Sequence, residues 1–291
     1  MKMIKPSFDI LDPQGYDFNS MCKQIELCGR TCYKSEDKIT DNSAEPFVKR
    51  MVELGHRAML EHGTVYLKVT NLIVPEDSGN PNHYVDWDLY KDIRSRYLFN
   101  GYSHCIEEYT ETLYITTNYR VIVENGWEDD LKYMCEPSDL HIKRISVKFV
   151  CNRQVSHEYI RHSVFSFAQE STRFNSYAKE KFGHELTFIE PCWLQDEGMT
   201  EWSREILMNK LRRAESGYFA LLDEGWKPQH AATILPNALK TELIMTGFVD
   251  GSGWLNFFDL RALGTTGAPH PQAKELALPL MEEFKKRGYI Q

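Results

Sequence analysis

Polar and aromatic side chains are intermingled in one stretch of the chain, from Arg161 to Phe174. An amphipathic helix would separate its apolar residues from its charges at a period of 3.6 residues, and this stretch does not. Guanidinium groups bind phosphate or carboxylate in a bidentate manner, and hydroxyls add neutral donors. The stretch therefore predicts a pocket for a polar, anionic metabolite, and we expect the chain to change direction inside it.

A third arginine, Arg261, could clamp the same kind of anion as Arg161 and Arg173. A phosphorylated metabolite suits this set, with hydroxyls from Ser171 and Thr172. The sequence contains neither the Gly-x-Gly-x-x-Gly turn of Rossmann folds nor the P-loop pattern. Any dinucleotide must therefore be held in another way.

Two further groups of residues could carry chemistry, but the patterns favour structural roles. His56, Glu61 and His62 could bind a metal, yet they lack the i, i+4 histidine pair of helical zinc motifs, so we expect structural hydrogen bonds and no metal. The seven cysteines lack the paired short spacings of a zinc site. Cys192 could be a loop nucleophile, but reduced, mostly buried thiols are the simpler interpretation.

Composition excludes several classes of function. The net charge of −8 argues against broad binding to nucleic acid or to anionic membranes, which requires a basic field. No apolar run approaches the length of a membrane span, and the first residues lack the apolar core of a signal peptide. We expect a soluble, cytoplasmic protein whose ligands are small molecules.

Periodicity predicts alternating helices and strands. Helices are predicted at 46–54, 118–127, 202–222, 254–263 and 271–287, with another beginning at Arg153 and capped by Asn152; strands are predicted at 64–69, 145–151 and 243–249. On the Arg153 helix, His157 and Arg161 would share one face with Arg153. The fold class is α/β of the α+β type, with a central sheet and packed helices. We expect one domain, 1–291, with an aromatic insertion at about 75–111.

Several ordered motifs resemble the flavin-dependent thymidylate synthases. The signature of that family is Arg-His-Arg, seven residues and Ser, followed by an Arg and an aromatic residue. The chain matches it at Arg161-His162, Ser171 and Arg173-Phe174. Further matches, in the family's order, are 55–62, Leu235-Pro236 with Thr241-Glu242, and 256–261 leading to 270–272. The resemblance covers most of the chain outside the insertion.

The resemblance implies a reaction, a fold and an assembly. Members of this family convert dUMP to dTMP by reductive methylation, using methylenetetrahydrofolate, FAD as the relay of the one-carbon unit and NADPH as the reductant. They use no cysteine nucleophile. They are homotetramers whose sites combine residues from several subunits.

The resemblance also implies roles for individual residues. Arg261 would be catalytic, stabilising the N3-deprotonated uracil. The residues implied for dUMP are Glu158, Arg161, Gln169, Ser171, Thr172, Arg173 and Arg261. Those implied for FAD are His56, Ala58, Glu61, Arg161, His162, Ser163, Gln169 and Asn256.

Four positions depart from the family pattern. Ser163 replaces the second signature arginine, and Gln169 stands where many members carry glutamate. Ala232 occupies the place of a nucleotide-binding arginine, and Ser252 lies in a segment that often contributes FAD ligands. Each lost charged hydrogen bond is worth about 1.5–3 kcal/mol. A divergent homologue that binds or modifies another pyrimidine nucleotide is therefore the alternative function.

Overall fold

A computed structural model describes residues 1–70, 87–109 and 111–291 of the chain. Its helices are α1 (Phe18–Tyr33), α2 (Ala44–Glu53), α3 (Trp87–Leu98), α4 (Tyr119–Asn125), α5 (Arg153–Tyr159), α6 (Glu201–Asp223), α7 (Pro228–Ala231), α8 (Trp254–Phe258) and α9 (Pro271–Lys286). Its strands are β1 (Lys2–Ile4), β2 (Ser7–Leu11), β3 (Thr64–Val69), β4 (His104–Glu108), β5 (Thr112–Asn118), β6 (Arg144–Asn152), β7 (Ser166–Gln169), β8 (Thr187–Ile189) and β9 (Lys240–Phe248).

The described residues form two compact units. The first unit comprises Met1–Leu11, Gly29–Asp37 and Ser146–Gln291, and the second comprises Asp12–Cys28 and Lys38–Ile145. Each unit has its own sheets and its own apolar core. The expectation of a single domain over 1–291 is not tested by this division and stays a prediction.

The first unit contains a four-stranded sheet in the order β2-β6-β9-β7 and a parallel pair, β1-β8. A chain of ring contacts links β6 and α5 to α8, with Tyr159 lying 5.0 Å from Phe149 and 4.9 Å from Phe257 between ring centroids. Trp254 and Phe284 extend this aromatic core into α9. These rings are fully buried, so their packing fixes the positions of α5 and α8. The turns that follow these two helices are positioned in the same way.

The second unit is built on the antiparallel sheet β3-β5-β4. The apolar residues of β3, including Val65, Leu67 and Val69, are fully buried together with Leu60 just before the strand. Helices with an apolar stripe cover the sheet, as Val48 and Met51 of α2 illustrate. The alternation from Thr64 to Val69 therefore predicted a strand with the observed limits.

Helices packed with mostly antiparallel sheets confirm the predicted fold class, the α+β type of α/β protein. The predicted helices and strands are all present, with ends that differ by a few residues. Ser43 immediately precedes α2, but its hydroxyl donates to Glu26 over 2.8 Å and does not cap the helix. Of the insertion expected at 75–111, residues 75–86 and 110 lie outside the described residues, and the rest includes α3 and β4.

Candidate active site

The candidate site in the first unit begins at the short helix α5. Asn152, at the end of β6, accepts a hydrogen bond from the backbone N–H of Val155 over 2.8 Å, so the predicted cap is confirmed. Its amide also donates to Oε1 of Gln272 in α9 over 2.8 Å. The cap thus sets both where α5 starts and how the helix lies against α9.

The predicted cationic face of this helix is wrong beyond its second turn. The helix ends at Tyr159, whose side chain is fully buried and whose hydroxyl donates to the carbonyl of Ala273. Arg161 therefore lies in the following turn rather than one helical turn above His157. The chain changes direction between Ile160 and Phe165, as predicted, and then enters β7.

Arg261 is held by three hydrogen bonds in the first unit. Its Nη1 donates to the carboxylate of Glu158 and its Nη2 to the Glu158 carbonyl, each over 2.8 Å, while its Nε donates to Nε2 of His162 over 3.0 Å. The arginine side chain is only 14% exposed. A guanidinium carries five N–H donors, so three bonds leave two donors. Residues about 100 positions apart in sequence are thereby brought into one cluster.

His162 is buried and uncharged in this cluster. Burial, and then the positive charges of Arg261 and Arg161, lower its pKa from 6.5 to about 4. Since the Arg261 Nε–H donates to Nε2, this hydrogen-bond network assigns the ring proton to Nδ1. Arg261 therefore keeps its charge next to a neutral imidazole that accepts from it.

A π-helical turn presents Arg261. The turn spans Asp259–Leu263 and directly continues α8, so Arg261 follows the buried ring of Phe257 by one turn. π-helical turns are rare and often occur at functional sites. The turn ends at Gly264, whose φ of +72° is accessible to glycine, and a Cβ there would come within 2.7 Å of Pro269.

Arg161 and Ser163 flank His162 in sequence, and both are exposed. The Arg161 side chain is 69% exposed, and its one contact with Glu158 is long, at 3.4 Å. Glu158 is thus shared by two arginines, but it binds Arg261 more closely. Ser163, where the family pattern has arginine, is also exposed and contributes no charge. Arg161 is therefore a cation that an anionic ligand can recruit with little rearrangement.

Gln169 ends β7, and its amide is already engaged. Its Nε2 donates to Oγ of Ser156 over 2.9 Å and to Oγ1 of Thr241 over 3.3 Å. In the strand register Gln169 pairs with Leu243 of β9. The glutamine is thus oriented by α5 and β9 together, with its side chain half-buried.

The turn that follows contains Ser171, Thr172 and Arg173. Ser171 Oγ accepts from the Arg173 backbone N–H over 3.2 Å, and the Ser171 N–H donates to the carbonyl of Cys32 over 3.0 Å. Thr172 is half-buried, and Arg173 is exposed, with its guanidinium over the ring of Phe174. Tyr33 packs against that same ring at 5.4 Å. The hydroxyls and the guanidinium therefore sit on a turn that the end of α1 supports.

Sequence reasoning missed the residues that provide this support. Helix α1 was not predicted, although Met21, Cys22, Ile25 and Cys28 follow a helical spacing that could have indicated it. Lys34 and Glu242 were not considered as site residues either. A single lysine in a polar segment gives no signal of its own, because most such residues are solvated.

The second unit contains His56, Ala58 and Glu61, three residues expected near the flavin. His56 immediately precedes a short 3-10 helix, Arg57–His62, and Ala58 and Glu61 lie within it. His56 and Ala58 are exposed. The Glu61 carboxylate pairs with Arg120 over 2.5 Å, and its carbonyl accepts from buried Arg144 over 2.6 Å. Glu61 is therefore fixed by two arginines within its own unit.

Asn256, Ser252 and Ala232 lie elsewhere in the first unit. Asn256 is half-buried on α8. Ser252 forms part of a turn in which the Asp250 carboxylate accepts from the Ser252 hydroxyl over 2.9 Å and from the Gly253 N–H over 2.7 Å. Ala232 packs against the apolar cluster that includes Tyr218 and Leu211. The structure thus gives Ser252 and Ala232 local structural roles.

Within residues 1–70, 87–109 and 111–291, no three His, Cys, Asp or Glu side chains are grouped so that they could hold a metal ion. Over the same residues, no helix has the length and apolar composition needed to cross a membrane.

Known proteins resemble this chain in sequence. A flavin-dependent thymidylate synthase of Geobacter sulfurreducens is 27% identical over 110 residues, which cover 38% of this chain and 44% of that protein. The one from Sulfurisphaera tokodaii is 27% identical over 135 residues, covering 46% and 47%. The one from Corynebacterium aurimucosum is 23% identical over 267 residues, covering 89% and 75%. The chain thus spans less than half the length of the first two relatives.

A solved structure also matches over most of the chain. A UMP/dUMP methylase PolB from Streptomyces cacaoi, bound with 5-Br dUMP, aligns with a TM-score of 0.46 and 12% identity over 98% of this chain and 93% of that one. The model of the family described as thymidylate synthase complementing protein matches residues 137–287, which contain the Glu158, His162 and Arg261 cluster and the Ser171–Arg173 turn. This chain therefore belongs to the thymidylate synthase complementing protein family, that of the flavin-dependent thymidylate synthases.

Proposed function

We propose that this protein is a flavin-dependent thymidylate synthase that methylates dUMP reductively to dTMP. The observation that carries the proposal is the Arg261 cluster, in which Glu158 and His162 orient a guanidinium that retains two N–H donors. The family assignment supports the same activity. Methylenetetrahydrofolate would donate the one-carbon unit, and NADPH would be the reductant.

Arg261 would act on the uracil ring. Negative charge develops on the ring when N3 loses its proton, and a guanidinium fixed before the ligand arrives stabilises that charge without reorganising. Because His162 is neutral and accepts from Arg261, it orients the cation without competing with it for the anionic ring. Glu158 would keep the guanidinium in place through its carboxylate and its carbonyl.

The nucleotide's sugar and phosphate would lie along the remaining polar residues. Arg161 and Arg173 are exposed cations that suit a phosphate. Ser171, Thr172 and Gln169 would supply neutral hydrogen bonds. Of these, Gln169 is held by Ser156 and Thr241, which limits how its amide can turn towards a base.

The residues of the chain also suit a flavin. The exposed guanidinium of Arg161 can receive a phosphate, and Ser163 and half-buried Asn256 offer uncharged donors. His162 and Gln169 would also contact FAD. For His56, Ala58 and Glu61, which belong to the second unit, a role in holding FAD is proposed from the family pattern alone. The chemistry that FAD would supply when bound is the relay of the one-carbon unit and of electrons from NADPH. We further propose that the protein is a homotetramer whose sites combine subunits.

Reconstitution of the purified chain with FAD tests this proposal. The protein should take up flavin, as judged by its visible absorbance after gel filtration, and dUMP should accelerate NADPH oxidation. With methylenetetrahydrofolate present, dTMP should accumulate, which chromatography of the nucleotides detects. A chain that takes up no flavin, or that binds flavin but makes no dTMP, contradicts the proposal.

Ala232 favours a second candidate, a homologue that acts on or binds another pyrimidine nucleotide. Its methyl group belongs to an apolar cluster, whereas the family pattern has a nucleotide-binding arginine there. Loss of one charged hydrogen bond weakens binding by about tenfold or more. A panel of dUMP, UMP, dCMP and CMP, assayed for binding by calorimetry and for methylated product, separates the two candidates.

A further inference from the structure

The segment at the end of α1 contains a strained residue. Lys34 has a φ of +48°, in the left-handed region that residues other than glycine and asparagine seldom adopt. Such a conformation is strained and persists only where the surrounding structure determines it. The carbonyl of Lys34 accepts a hydrogen bond from the ammonium of Lys181, which is one such determinant.

The side chain of Lys34 provides the second determinant. Its ammonium lies 2.8 Å from Glu36 and 2.9 Å from Glu242 on β9. The Glu242 side chain is only 9% exposed, and it also pairs with Lys148 and Lys240, each over 2.5 Å. Burial by itself would raise the pKa of Glu242, but the three lysines hold it well below its usual range. Lys34 is thus bound to a carboxylate that stays ionised.

The same segment supports the turn that contains Ser171. Two residues before Lys34, the carbonyl of Cys32 accepts from the Ser171 N–H over 3.0 Å and from the buried amide of Asn175 over 3.3 Å. Glu242 also holds the other end of the turn, because its carbonyl accepts from the Glu170 N–H over 2.8 Å. The end of α1 and the turn are therefore joined twice, directly at Cys32 and through Glu242.

We propose that Lys34 is a positioning residue for the nucleotide: by tying the end of α1 to Glu242, it holds the Cys32 carbonyl where it fixes Ser171 and Arg173. This proposal rests on the proposed function for the identity of the ligand. It explains why a strained lysine occupies a place where glycine would be relaxed. The ammonium of Lys34 bonds to Glu36 and Glu242, so Lys34 acts on the Ser171 turn through the backbone of its own segment.

The experiment uses three variants of the full chain. Lys34→Gly removes the ammonium and suits the positive φ, so the backbone itself is not strained. Lys34→Arg keeps a cation that can reach Glu242. Lys148→Met is the matched control. It removes another lysine from the Glu242 carboxylate but leaves the bond between Lys34 and Glu242 in place. Hydrogen exchange of the Ser171 amide and steady-state kinetics with dUMP are measured for each.

We expect Lys34→Gly to speed exchange at Ser171 and to raise the KM for dUMP, each by about tenfold, with kcat changed by less than about twofold. Lys34→Arg should restore most of both values, and Lys148→Met should leave both near those of the unaltered chain. The proposal that Lys34 ties the end of α1 to Glu242, a link called the tether, would be overturned by either of two results. One is an equal effect of Lys34→Gly and Lys148→Met, and the other is unchanged exchange in Lys34→Gly. If no variant turns over dUMP while exchange still responds to Lys34 alone, the tether stands and the proposed substrate is wrong.

Discussion

The Nε–H of Arg261 donates a hydrogen bond to Nε2 of His162 over 3.0 Å, and this bond joins the π-helical turn after α8 to the turn after α5. Arg261 also bonds twice to Glu158, so both of its partners belong to the segment from 158 to 162. A guanidinium held in this way loses little freedom when it meets a ligand, because its orientation is already fixed. The cluster is therefore the centre of the proposed active site.

Removal of the Arg261 guanidinium should abolish turnover of dUMP without unfolding the chain. Arg261→Ala eliminates the cation proposed to stabilise the uracil ring, and we expect kcat/KM to fall by about a hundredfold or more. Steady-state NADPH oxidation with dUMP measures this. Arg213→Ala, on the exposed side of α6, is the matched control and should retain its rate. Retention of near-normal turnover in Arg261→Ala would remove this residue from the catalytic role.

His162 should make the folded chain less stable as the pH falls from about 6.5 to about 4. The unfolded ring takes up a proton near pH 6.5, whereas the folded ring resists protonation until about 4. Acid therefore favours the unfolded state, and the full difference amounts to about 3 kcal/mol. The free energy of unfolding in urea should be measured from about pH 7 to about pH 4. As the pH falls, it should decrease less steeply for His162→Gln than for the unaltered chain.

Exposed His157 on α5 provides the control for this measurement. His157→Gln removes one histidine as well, but it leaves the bond to Arg261 intact. Its slope of unfolding free energy against pH should follow that of the unaltered chain. Parallel slopes for all three proteins would contradict a buried, neutral His162.

A methyl group at Gly247 should destabilise the first unit through Phe165. An ideal Cβ at this position of β9 would lie 2.5 Å from two atoms of the Phe165 ring, which is itself buried against Trp254. Overpacking of this kind costs about 1–3 kcal/mol, so Gly247→Ala should lower the midpoint of denaturant unfolding. Gly251→Ala is the control, because nothing in the described structure lies within 4 Å of its ideal Cβ.

The double variant Gly247→Ala with Phe165→Ala tests the mechanism of that loss. If the ring of Phe165 causes the strain, the added cost of the alanine at 247 should largely disappear once the ring is removed. A cost that persists in the double variant would show that the methyl group conflicts with the strand rather than with the ring.

The cap at Asn152 should be worth more than the similar cap at Asn118. Each asparagine accepts from the backbone of a short helix, α5 and α4 respectively. Asn152→Ala also leaves Oε1 of buried Gln272 without the hydrogen bond that it accepts over 2.8 Å. We expect losses of about 2–3 kcal/mol for Asn152→Ala and about 1 kcal/mol for Asn118→Ala. Equal losses in urea denaturation would show that the Gln272 bond contributes nothing.

The sequence indicated most elements near the candidate site, because local patterns encode them. Alternation gave the strand Thr64–Val69, and Asn152 marked the first turn of α5. The limit of α5 was not predictable in the same way. Arg161 fits the helical spacing, but the helix ends at buried Tyr159, whose hydroxyl bonds to the carbonyl of Ala273, 114 positions away. A local pattern cannot contain such a contact.

The sequence by itself predicted the family of this protein from several ordered motifs, including the one around Arg161, His162, Ser171 and Arg173, and the family model over residues 137–287 confirms it. Only the tertiary structure decided how these residues work together. Burial and two guanidinium groups make His162 neutral, Glu158 and His162 orient Arg261, and Lys34 meets Glu242 across 208 positions. These relationships depend on distance in space and on exclusion of water, and neither is a property of residue order.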